Sequence, residues 1–180
     1  PPRLTAPSSI CMRETTSTLY SELADYRDRF AIARQEAAAL VDGLSPDALN
    51  APPSPEAWSV GQCLAHLNES TGQLVPRLET AIDRARDRGP CAEGPFRYGM
   101  VSRWFIHAMD PDAGWTFPAP TGYAPPAAPL EPAEVLGTFQ GLQDRLIACA
   151  ERANGLDLKR IRVASPLTRL VRLSLGAWLA

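Results

Sequence analysis

The chain has 180 residues, 45% of them hydrophobic and 21% charged, a globular balance that excludes wholesale disorder and allows one sizeable core without disulfide staples. A formal net charge of −2 exerts no overall pull toward a phosphate backbone, so nucleic acid is not expected as a partner. No run approaches the ~20 consecutive apolar residues of a membrane span, and no basic-then-apolar signal opens the chain. No membrane partner is therefore expected, and the protein reads as soluble and cytoplasmic.

Cys11, Cys63, Cys91 and Cys149 form no C-x-x-C pair, so free thiols in a reducing compartment are expected rather than a zinc finger or a disulfide framework. Lys159 is the only lysine. The bias toward Ala, Pro and Arg fits GC-rich codons, and a bacterial source is expected. The chain opens Pro1-Pro2, with Met12 as a candidate start. Residues 1–16 are read as a disordered leader and 17–180 as one helical domain.

From Ser17 to Val41, Leu19, Leu23, Tyr26, Phe30, Ala33, Ala37 and Leu40 recur at spacings of three and four, one apolar stripe on a helix, with Gly43 as its C-cap. Ser45-Pro46 opens a short turn of helix. The clearest start signal follows. Ser59 and Gln62 form a capping box, with Trp58 set to pack on Cys63, and a long helix then carries Val60, Cys63, Leu64, Leu67, Leu74, Leu78 and Ile82 to Gly89. Pro76 predicts a kink in it rather than a break.

A further helix is expected over 96–109, and another over 132–152 with stripe Val135, Leu136, Phe139, Leu142, Leu146 and Ile147, ending at Gly155. The proline-rich connection 110–131 between them carries Trp115, Phe117 and Tyr123. A connection of ~20 residues is usually a lid, a binding loop or a linker. Residues 156–173 mix apolar and basic positions without a strand pattern, and Ser174 reads as the N-cap of a final helix that has barely begun at Ala180. Helical hairpins joined by one long crossover make an all-α four-helix bundle, its last helix incomplete.

The run Trp58-Ser59-Val60-Gly61-Gln62-Cys63-Leu64-Ala65-His66-Leu67 resembles the second-helix signature of the DinB-like (DinB/YfiT-like) superfamily. Gly94-Pro95-Phe96-Arg97-Tyr98-Gly99 with Arg103-Trp104-Phe105, and Ser165-Pro166-Leu167 with Leu173-Ser174-Leu175, agree with it. The resemblance implies a four-helix bundle holding one divalent metal, zinc or nickel, through three histidines. One would be His66; the other two, four residues apart on the last helix, fall a few residues past Ala180 in the family pattern. The metal is thus expected only in a longer form of the protein, and the chain to Ala180 is expected to be inactive. Relatives include transferases and isomerases that use low-molecular-weight thiols, others are held to be hydrolases, and dimers are common. The resemblance therefore implies a small-molecule substrate, a possible thiol cofactor and a possible homodimer.

Each candidate has a plainer alternative. His66 shares a polar line with Gln62, Glu69 and Gln73, which otherwise reads as a solvated face; Gln62 and Glu69 are candidates to support the imidazole by hydrogen bonding. Cys63 is three residues from His66 and could join it on a metal, though a small buried core cysteine is the preferred reading. His107 reads as a partly buried structural histidine. Trp115, Phe117 and Tyr123 read either as a substrate lid or as a fastening for the crossover. Lys159, Arg160, Arg162, Arg169 and Arg172 either attract an anion or form a salt-bridged connector. No G-x-S-x-G, P-loop, G-x-G-x-x-G, H-E-x-x-H or Glu-x-x-His pair is present. Two functions stay open: a metal-dependent thiol transferase or hydrolase, and a non-catalytic bundle that binds small molecules or dimerises. With most of the last helix outside the chain, an apolar groove and self-association are expected.

Overall fold

The computed structural model describes residues 18–110, 114, 129–168 and 170–180. In chain order these form α1 (Ser21–Val41), α2 (Pro46–Asn50), α3 (Val60–Arg88), α4 (Met100–Met109), α5 (Pro132–Arg152), β1 (Arg162–Ala164), β2 (Arg172–Ser174) and α6 (Leu175–Leu179). The class is all-α, with one small ribbon added. α5 packs along both α1 and α3, and its stripe of Val135, Phe139, Leu142, Leu146 and Cys149 is buried between them.

Local chemistry places the ends of these helices. Tyr20, in extended conformation, precedes α1, and its N–H donates to the Asn154 side chain just past α5, at 3.2 Å. The entrance of one helix is thereby tied to the exit of another. Gly43 has φ +73°, the left-handed conformation that lets a helix stop without a Cβ clash. Ser45 Oγ accepts from Ala48 N–H and Pro46 opens α2, as its sequence predicts. Asn50 grips the returning crossover twice, accepting from Leu130 N–H and donating to Leu130 O. α3 runs unbroken through Pro76. That residue is exposed, so the carbonyl of Gly72, which the missing Pro76 N–H leaves without its helical donor, is not sealed in the core.

The core lies in two clusters. The larger joins Leu23 and Tyr26 of α1, Val75, Leu78 and Ile82 of α3, Leu142 to Cys149 of α5, and Leu175 and Leu179 of α6. The smaller joins Ala37, Val41, Leu49, Leu64, Val135 and Phe139 at the other end of the bundle, without a residue of α6. Along the α3–α5 seam, Arg145 makes a two-pronged bond to Glu79 (2.9 and 2.7 Å), and Arg152 pairs with Asp83.

The Arg145 guanidinium holds the Glu79 carboxyl below the usual carboxylate range, by hydrogen bonding first and by charge second. A carboxyl depressed in the folded state adds stability above its unfolded pKa, and that stability is lost as pH falls through the folded value. The pair is half-exposed, so Glu79→Gln is expected to cost less than about 1 kcal/mol at neutral pH. Urea melts of both proteins should converge once the pH drops below the carboxylate range.

Three expectations are corrected. Residues 96–99 are not helical, and α4 begins at Met100 after Gly99. Residues 162–174 hold a two-stranded antiparallel ribbon, with Arg162 opposite Ser174, Val163 opposite Leu173 and Ala164 opposite Arg172. Three-residue strands are too short to announce themselves by alternation. Ser174 does precede α6, yet its side chain makes no capping bond; the hydroxyl meets Ser102 Oγ at 3.2 Å instead.

Candidate functional site

The site begins with a helix start. Ser59 Oγ accepts from Gln62 N–H (3.1 Å) and Gln62 Oε1 accepts from Ser59 N–H (3.0 Å), which completes the predicted capping box. Ser59 is fully buried, so Ser59→Ala is expected to cost about 1 to 2 kcal/mol in a urea melt. His66 lies two turns further on, at a height the cap fixes. The Trp58 ring packs on its imidazole, with centroids 5.1 Å apart and planes inclined at 54°.

The helical period sorts the surrounding residues onto two faces. Leu64 and Asn68 face α5: Leu64 is buried, and Asn68 Nδ2 donates to Val135 O at 2.9 Å. Cys63, His66, Leu67 and Ser70 lie on the far flank. Cys63 is exposed there and Leu67 is 43% exposed, while His66 is half-buried. The preferred reading of Cys63 as a core thiol is thus corrected, and Leu67 leaves the stripe with it. α5 lies along one face of α3 from Leu64 to Arg86. α6 joins that same face further along, at the level of Val75 to Ile82.

The other candidates fall as follows. Gln62 is taken up by the capping box. Glu69 is exposed and accepts from Gln73 Nε2 at 2.6 Å, and Ser70 Oγ donates to the His66 carbonyl. His107 is exposed rather than partly buried, on α4, which packs on α6 and β2 away from the smaller core cluster. Trp115, Phe117, Tyr123 and Arg169 lie outside the described residues.

Cys91 is disulfide-bonded, a correction to the expectation of four free thiols; Cys63 and Cys149 are free. Burial, with the Glu79 carboxylate next, pushes the Cys149 thiol up to about 11, and only the thiolate reacts. In the native protein a thiol reagent at mildly alkaline pH should modify Cys63 and spare Cys149, with both reacting in urea. Mass spectrometry of the labelled peptides reads the result.

Two polar features escaped the sequence reading. Asn68 Oδ1 is buried with no hydrogen-bond partner among the described residues. At the larger cluster, Glu22 Oε1 accepts from both Tyr26 Oη (2.8 Å) and Tyr98 Oη (2.5 Å), and Oε2 accepts from Phe96 N–H at 3.5 Å. Burial first, and the Glu22 carboxylate second, push both phenols well above their ordinary range. Only the Glu22-x-x-x-Tyr26 spacing was visible beforehand; Tyr98 is a tertiary partner.

These observations define a helical bundle with a histidine held against a tryptophan two turns above the cap of its longest helix. The model of the DinB superfamily matches residues 29–180, and the chain belongs to that family. No curated protein and no solved structure matches it. The family implies a divalent metal, which requires several converging donors. Among the described residues no group of three His, Cys, Asp or Glu side chains can hold a metal ion. The described residues therefore do not fit a complete metal centre, and no chemical step is assigned to one.

Proposed function

We propose that this DinB-superfamily protein acts on a small molecule at the His66 flank of α3, and that His66 is one imidazole of a divalent-metal site whose other donors lie outside the described residues. The observation that carries the reading is the Trp58–His66 pair. The indole restricts the imidazole to one side of α3, at the level where α5 covers only the opposite face. An imidazole so oriented can donate to a metal or move a proton, and the neighbouring Leu67 and Cys63 supply apolar surface for a ligand. Thiol transfer and hydrolysis are the two reaction classes proposed, divided by whether the nucleophile is an exogenous thiolate or water.

The test is metal analysis of a longer form of the protein that extends past Ala180, and of its His66→Ala variant, after exposure to zinc and to nickel. Lower metal content in the variant supports the reading. Equal content removes His66 as a ligand. A second reading, a non-catalytic binder or dimer, is favoured by the lack of a complete donor set among the described residues. It predicts no specific uptake of either metal by the unmodified protein.

A further inference from the structure

The end of the molecule built by α4 and the β ribbon carries a surface that the His66 reading does not use. Val163 and Leu173 sit opposite each other in the ribbon and are buried. Side chains alternate along a strand, so Arg162 and Arg172, both exposed, project from the other face. Ser174 shares that outer face, and its contact with Ser102 lays α4 against it. Further along, Phe105 packs on Trp178 with ring centroids 5.1 Å apart. α4 thus runs in the same direction as β2 and α6, and its first turn lies toward Arg172 and the loop that closes the hairpin.

Large apolar side chains protrude at this end. Met100 is 87% exposed, Val101 67%, Trp104 56% and Leu170 93%, with Leu167 and Val171 also exposed. Met100, Val101 and Trp104 fall within one arc of about 100° on α4. Apolar patches of several hundred Å² on a monomer often have a function, and six large apolar side chains are exposed on the segments that build this end. Arg97, Arg103, Arg162 and Arg172 are exposed on the segments that build this end. Of the nearby carboxylates, Asp157 is occupied in accepting from the backbone N–H groups of Lys159 and Arg160. Basic charge is gathered here in a chain whose net charge is −2.

We propose that this face binds the surface of an anionic phospholipid membrane. Met100, Val101, Trp104 and Leu170 enter the boundary between headgroups and acyl chains, and the arginines pair with lipid phosphates. Apolar side chains that stand out from the surface, rather than line a groove, suit a soft apolar layer. A second copy is disfavoured, since pairing this face with itself opposes two basic rims. Nucleic acid would satisfy the guanidinium groups and leave Met100 and Leu170 in water. No helix of the described residues is long and apolar enough to cross a membrane; the proposal concerns the surface alone, and it departs from the expectation of no membrane partner, which rested on the lack of an apolar run and did not consider this face.

The test is co-sedimentation of the full 180-residue chain with vesicles of phosphatidylcholine containing phosphatidylglycerol, against vesicles of phosphatidylcholine alone. Binding is expected to the anionic vesicles and to weaken with added salt. Arg103→Gln and Arg172→Gln should each lower partition about fivefold, the factor equivalent to about 1 kcal/mol per basic side chain at such a surface. Met100→Ser combined with Leu170→Ser should lower it by about tenfold or more. All four positions are exposed, and circular dichroism of each variant checks that the fold is kept. Failure to bind either vesicle, equal binding to both, or binding to heparin without binding to anionic vesicles would overturn the proposal. His66→Ala should bind vesicles normally, which separates this surface from the proposed active flank.

Discussion

Leu64→Ala is expected to cost about 3 kcal/mol in a urea melt and Leu67→Ala less than about 1, although the two leucines stand one turn apart on the same helix. Leu64 is 4% exposed in the smaller core cluster, among Val41, Leu49, Val135 and Phe139. Its truncation removes transfer energy and leaves a cavity that well-packed neighbours fill only in part. Leu67 is 43% exposed, so much of its side chain already meets water and its removal leaves no closed void. The ratio of the two costs reports which way α3 is turned about its axis. If α3 were rotated to bury Cys63 and Leu67, as an even apolar stripe would require, the two substitutions would cost the same, and that result would contradict the structure. The same melts bear on the site, because the rotation that buries Leu64 against α5 is the one that sets His66 on the opposite flank beside Trp58.

Features encoded within a few residues were legible from the sequence. The capping box of Ser59 and Gln62, the short helix opened by Ser45-Pro46, and the span of α5 need only local patterns, and the structure contains each of them, with α5 capped at Ala153 rather than at Gly155. The exit of α1 at Gly43 is also local, since its positive φ suits glycine. The rotation of α3 was harder to see, because apolar residues occur on both its flanks and only the partner decides which flank is buried. α5 takes Leu64 and leaves Cys63 and Leu67 out. Asn68 counted as polar in the sequence, yet it lies on the buried face because its amide reaches the Val135 carbonyl. The ribbon was missed for a different reason. Arg160, Ile161, Arg162 and Val163 do alternate, but so short a run is matched by many loops, and pairing with residues ten positions later makes it a strand. His66 was legible as a candidate through its register with Trp58 and Ser59. Whether it acts with other donors depends on side chains brought from elsewhere, which no local pattern encodes.

Gly176→Ala should be among the most costly single-methyl additions to the chain, at about 2 to 3 kcal/mol, and nearly all of that cost should disappear when Tyr98 is absent. A Cβ at position 176 would overlap the Tyr98 hydroxyl and the ring carbons next to it. An exposed tyrosine would simply move aside. Tyr98 is held by Glu22, which also accepts from Tyr26, so the ring leaves only by giving up a bond that a half-buried phenol needs, and overpacking adds to that loss. In a Tyr98→Ala background the obstacle and the bond are both gone, and Gly176→Ala should cost less than about 1 kcal/mol. A coupling of about 1.5 kcal/mol or more in this cycle is the expected result; additive costs would show that Tyr98 does not press on α6. Alkaline pH gives an independent check with the sign fixed in advance. Both phenols are raised in the folded state, so their contribution is fully present below the unfolded phenol pKa of about 10 and is lost as pH climbs toward the folded values. The unmodified protein should therefore lose stability above that pH, and a variant with both Tyr26→Phe and Tyr98→Phe should lose less. The clasp bears on the core as well, because Leu175 and Leu179 of α6 share the larger cluster with Val75, Leu78 and Ile82 of α3, and Tyr98 presses on α6 at Gly176.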